Sequence, residues 1–95
     1  MSYTLIVHAD ESARSATERL ARENLDTKLD SYLASFADKQ IHVDLKITTH
    51  NPGYSGILNV SVTPESWHYE RERYERLDDL VNHLFDKLKE NLSKK

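Results

Sequence analysis

The stretch "IHVDLKITTH", Ile41 to His50, limits this chain more than any other. Ile41, Val43, Leu45 and Ile47 alternate with His42, Asp44, Lys46 and Thr48. Successive side chains of a strand point to opposite faces, so this segment reads as a strand with one dry face and one wet face. Such a strand needs neighbours along its edges and a layer over its dry face. The neighbours follow directly. "NPGYSG" supplies a turn, with Pro52 and Gly53 in the adjacent central positions that type II turns use. A second strand places Leu58, Val60 and Val62 inward and Ile57, Asn59 and Ser61 outward. "TPES" turns the chain again. "WHYERERY" then alternates Trp67, Tyr69, Arg71 and Arg73 with His68, Glu70 and Glu72, which predicts a third strand of the meander. A helix is the competing reading for so charged a run.

The covering layer comes from two helical segments. "SYTLIVHAD" is rich in β-branched residues and predicts a strand over Tyr3 to His8. The run from Asp10 to Gln40 holds no Gly and no Pro and is dominated by Ala, Leu, Arg, Glu and Lys, the composition of a long helix. Asp10, Glu11 and Ser12 suit its N-terminal end, where free amides and the macrodipole favour oxygen ligands and negative charge. Its apolar stripe slips, however. Ala13, Ala16 and Leu20 share one face, while Leu25, Leu29, Tyr32 and Phe36 cluster roughly 150° around the helix from Leu20. A straight helix cannot press both sets on one sheet. The slip predicts a bulge or kink between Ala21 and Leu29, or a partner for the second face, unless Ala13 and Ala16 are surface positions. The last helix, starting near Glu75, is simpler. Leu77, Leu80, Val81, Leu84, Phe85, Leu88 and Leu92 fall within an arc of about 140°.

The expected architecture is α+β, with element order βαβββα. A four-stranded, mostly antiparallel sheet carries both helices on one face and leaves His42, Asp44, Lys46, Asn59 and Ser61 on the other. At 95 residues one domain spanning 1–95 is expected. The chain has no cysteine, which excludes disulfides, thiolate metal sites and cysteine nucleophiles. Its N-terminus lacks the basic stretch and long apolar run of a secretory signal, and no window approaches the ~20 apolar residues of a spanning helix. No membrane contact and a cytoplasmic location are expected. The five histidines, His8, His42, His50, His68 and His83, are scattered without metal-ligand spacing, so neither metal nor cofactor is expected. His8 with Asp10, or His42 with Asp44, has the spacing of an acid–base pair, yet no nucleophile, phosphate loop or oxyanion motif accompanies either. Catalysis is the weakest of the readings.

Element order, a helix ending "KLDSYL", the strand "IHVDLKI" and a final helix carrying "LFDKLKENLSK" together resemble the ribosome hibernation-promoting factors, which include ribosome-associated translation inhibitors. The resemblance covers nearly the whole chain and rests on element order and short helical motifs. It implies a fold similar to double-stranded-RNA-binding domains, and binding to the small ribosomal subunit in its decoding region. It also implies basic residues on both helices facing ribosomal RNA. Lys28 matches the lysine of the first helix's K-L-x-x-Y, Lys87 that of the second helix's D-K-L, and Lys94 a basic position further on. Glu90 stands where the family usually has arginine, Ser93 where lysine is common, and one extra residue precedes Lys28.

Net charge is −3, yet the last nine residues carry four lysines against one glutamate. On the RNA reading that the resemblance implies, Lys28, Lys87, Lys89, Lys94 and Lys95 are the candidate contacts, with Arg71 and Arg73 as a second group. Lysines also gather at helix C-termini simply because they complement the macrodipole. Two functions compete on these residues. One is a ribosome-binding hibernation factor; the other is a protein-interaction module of the same fold, dimerising through the second stripe of the first helix. Convergence of Lys28, Lys87 and Lys94 on one surface favours RNA, and intrusion of Asp86 and Glu90 among them weakens it.

Overall fold

A computed structural model describes residues 3–34 and 39–93. The elements are β1 (Tyr3–His8), α1 (Glu11–Glu23), a π-helical segment (Asn24–Lys28), α2 (Asp30–Leu33), β2 (Ile41–Thr49), β3 (Tyr54–Val62), β4 (Glu65–Tyr74) and α3 (Leu77–Ser93). The strands lie in the order β1-β2-β3-β4, with β1 parallel to β2 and the other pairs antiparallel. Helices cover one face, as the sequence predicts. Ile41, Val43, Leu45, Ile47, Leu58, Val60 and Val62 are buried beneath Leu80, Val81, Leu84, Phe85 and Leu88 of α3. "WHYERERY" is a strand: Trp67, Tyr69 and Arg71 are half-buried at a period of two, which no helix produces.

The slipped stripe is resolved by the π-helical segment. The Leu29 amide donates to the Asn24 carbonyl five residues back at 3.1 Å, and the Leu33 amide returns to the four-residue step on Leu29 at 2.9 Å. One residue is thereby absorbed in a wide turn, which rotates everything after it by about 100° and closes most of the mismatch. Leu20, Ala21, Leu25, Leu29 and Leu33 all join one core. Ala13 is buried too, so it is not a surface position. Leu33, absent from the predicted stripe, is fully buried, while Tyr32 is half-buried. Phe36 lies outside the described residues.

Asn24 begins that wide turn and is itself buried. Its Nδ2 donates to the Leu20 carbonyl at 2.8 Å and to Asn82 Oδ1 of α3 at 3.0 Å. One turn on, Lys28 meets Asp86. The two contacts advance together along both helices, so α1 and α3 run parallel, as two helices returning from parallel strands must.

The alternation along β4 breaks near its end. Gly56 pairs with Arg71 but Tyr54 pairs with Tyr74, leaving one extra residue in β4. Arg73 takes φ 61°, the left-handed region. This β-bulge puts Tyr74 rather than Arg73 in the half-buried position, so Arg71 and Arg73 do not share the face that the sequence assigns them. A side chain costs about 1–2 kcal/mol in that conformation, and glycine adopts it freely at a smaller entropic cost. Arg73→Gly is expected to raise stability by about 0.5–1 kcal/mol in urea unfolding. A loss of stability would mean that the arginine side chain holds the bulge.

Candidate nucleic-acid interface

The outer surface of the parallel helices, and the groove between α3 and β4, gather three of the five candidate cations among the described residues. Lys28 closes the π-helical segment, and the wide turn aims it across the helix boundary. Its Nζ lies 3.4 Å from Asp86 Oδ1 of α3. Lys87 lies one residue further along α3, with its Nζ 3.5 Å from Glu90 Oε2. A shallow groove of about 250 Å³ is lined by Arg71, Tyr74, His83, Asp86, Lys87 and Glu90. Arg71 reaches it from β4, with its guanidinium donating to the Glu70 carbonyl at 2.7 Å.

Two tyrosines fix α3 on β4 along this groove. The Tyr74 hydroxyl is 2.7 Å from His83 Nδ1, with the rings edge to face at 5.2 Å. Asn91 Nδ2 donates to the Tyr69 hydroxyl at 2.7 Å. Burial pushes the Tyr69 hydroxyl above the ordinary phenol range; the Asn91 hydrogen bond opposes this and the Glu90 charge adds to it. It therefore stays neutral at physiological pH. Asn91 falls inside the apolar arc of α3 at ~100° per residue, and a polar residue in that position is the one sequence signal that foretells such a bond.

Lys28, Lys87 and Arg71 thus come together on one side of the molecule. Asp86 and Glu90 come with them, seated between the lysines. Lys89, half-buried, lies about 160° around α3 from Lys87 and flanks the opposite border. Lys94 and Lys95 lie outside the described residues. Arg73 belongs elsewhere, in a cavity of about 600 Å³ at the β2–β3 turn with His50, Ser55, Glu72 and Glu75. Both ion pairs are exposed, with side-chain accessibilities of 39% and 52% for Lys28 and Asp86, and 46% and 52% for Lys87 and Glu90. Such pairs contribute well under ~1 kcal/mol each and can be exchanged for other partners.

The histidines form no catalytic array. His8 pairs across strands with Asp44 at 3.4 Å, rather than with Asp10, and Asp44 is therefore drawn to β1 instead of to His42. This follows from the parallel register, in which Ile6 faces Asp44 and His8 sits one step diagonal to it. His50 Nε2 lies 2.8 Å from Ser55 Oγ, in the open. Among the described residues no group of three or more His, Asp or Glu is arranged to hold a metal ion. Among them, too, no helix is long and apolar enough to cross a membrane.

No family model matches the chain, and no curated protein matches it by sequence. Solved structures do match. The N-terminal domain of Protein Y from Thermus thermophilus superposes with a TM-score of 0.75 at 14% identity, covering 99% of this chain and 98% of that one. The likeness is one of fold. A ribosomal subunit interface protein from Coxiella burnetii matches with a TM-score of 0.55 at 19% identity, over 99% of this chain and 96% of the other. The resemblance read from element order and helical motifs is therefore borne out in the architecture, from the first strand through to α3.

Proposed function

We propose that this chain is a cytoplasmic, non-enzymatic ribosome-binding factor that restrains translation. It contacts small-subunit ribosomal RNA through the outer face of its parallel helices. One observation carries the reading: the full-length fold likeness to two members of the family that the sequence resembles, one of them described as a ribosomal subunit interface protein. The helix surface supports it by bringing Lys28 and Lys87 to one side, with Arg71 beside them. Lys89, on the opposite border of α3, and Lys94 and Lys95, outside the described residues, are further candidate contacts, and Arg73 is a separate one. Each lysine set on a phosphate releases condensed counterions, so affinity built this way falls steeply with salt.

Asp86 and Glu90 favour a second reading, a protein-interaction module with the same fold, because a surface of interleaved charges suits a partner carrying both signs. Sedimentation of the purified protein with ribosomes at low and moderate salt separates the two. Stoichiometric co-sedimentation that weakens with salt is expected. Protein left in the supernatant at low salt would sink the ribosome reading in favour of a protein partner, including a second copy of this chain.

A further inference from the structure

From the ion pairs on the helix surface we infer that Asp86 and Glu90 are specificity-determining residues, internal counter-anions that keep Lys28 and Lys87 from generic RNA; this rests on the ribosome-binding reading above. The geometry leads there directly. Asp86 reaches Lys28 across the helix boundary at 3.4 Å, and Glu90 reaches Lys87 along α3 at 3.5 Å. Both acids are exposed on the crest of α3 and neither caps a helix, so an amide of the same shape can stand in either place. Arg71 and Lys87 line the same groove as both acids, so the acids sit among the cations rather than beyond their rim.

A phosphate approaching either lysine must first displace a carboxylate and then tolerate that carboxylate as its neighbour. Repulsion of this kind discriminates between partners. An unstructured RNA offers single phosphates, each of which meets the cost alone. A folded RNA surface engages Lys28, Lys87 and Arg71 together, and can offer hydrogen-bond donors or bound cations where the carboxylates swing. The pairs are weak enough to open for such a surface and strong enough to disfavour the rest.

The test is Asp86→Asn, Glu90→Gln, read by fluorescence anisotropy against labelled oligouridylate and by sedimentation with ribosomes. The double variant is expected to bind oligouridylate about tenfold more tightly, with each single change giving about threefold. The plot of log affinity against log salt should steepen by roughly 1.4, as two freed lysines each release counterions on a single strand. Ribosome affinity should change much less, so that discrimination shrinks. Asp10→Asn, Glu11→Gln, exposed at the start of α1, makes the same change in net charge away from the proposed contacts and should do little. Thermal melting of each variant verifies the fold.

An equal gain in that control, or no gain on oligouridylate in Asp86→Asn, Glu90→Gln, overturns the masking role while leaving wild-type ribosome binding intact. If the wild type ignores ribosomes but the double variant still gains oligouridylate affinity, the masking stands and the ribosome reading falls. A double variant that gains as much on ribosomes as on oligouridylate would show that the acids lower affinity without conferring selectivity, and the inference fails.

Discussion

Lys28→Glu, Lys87→Glu is expected to abolish co-sedimentation with ribosomes, weakening binding by about a hundredfold or more at moderate salt. Each substitution removes a proposed phosphate contact and would set a like charge against the RNA in its place. The cost to the fold should be slight. The two introduced carboxylates would face Asp86 and Glu90 respectively, in exposed pairs where like charges cost about 0.5 kcal/mol each. A melting curve close to wild type beside lost binding would therefore assign the loss to the surface. Retained binding would move the contact away from the helix pair, to the open face of the sheet or to the far end of β4 with Arg73.

Gly56→Val should destabilise the protein by about 3 kcal/mol in urea unfolding, and Gly56→Ala by about 1 kcal/mol. Strand propensity alone gives the opposite sign, since valine is favoured in strands and glycine is not. Close approach decides the matter. Gly56 lies on the inward face of β3 where α3 crosses it, and a Cβ there would stand 2.9 Å from Leu84 Cδ1, 3.1 Å from Ile47 Cδ1 and 3.3 Å from Leu80 Cδ2. All three neighbours are buried and belong to the central core, so they have little room to yield. Valine adds two further methyl groups in the same space. Stabilisation by valine would mean that α3 rides higher over the sheet than the packing of Leu80 and Leu84 implies.

Much of the fold is legible wherever one periodicity holds without interruption. The alternation from Ile41 to Ile47 and the stripe of α3 each survive intact, because each segment faces a single layer along its length. The slip in the first helix is equally legible as a fault between Ala21 and Leu29, and the π segment Asn24–Lys28 falls inside those bounds. Its repair is less so: the π turn carries Leu33 into the core, a position that counting on from Leu25 does not reach. Arg73 escapes the alternation because a bulge inserts one residue and reverses the faces beyond it, and nothing in "ERERY" marks where that insertion falls. The candidate surface is harder still. Lys28 and Lys87 can be named from the sequence, but Lys28 meets Asp86 across 58 positions of chain. Only the parallel packing of the helices determines that the meeting is with an acid. His8 likewise finds Asp44 through strand register, which local spacing does not encode.

The shared direction of α1 and α3 reaches beyond packing. Antiparallel neighbours would cancel their peptide dipoles, but here the two moments add, and the side chains offset them. Glu11 sits in the first turn of α1, and Asp78 and Asp79 sit in the first turn of α3, at the positive ends. Lys28 and Lys89 lie toward the other. Anions at the starts of both helices answer the partial positive charge of the free amides there, which stabilises each helix where it begins. The like ends that parallel packing sets side by side are thereby met by charge of the opposite sign, so the shared direction costs the fold less than bare peptide dipoles would.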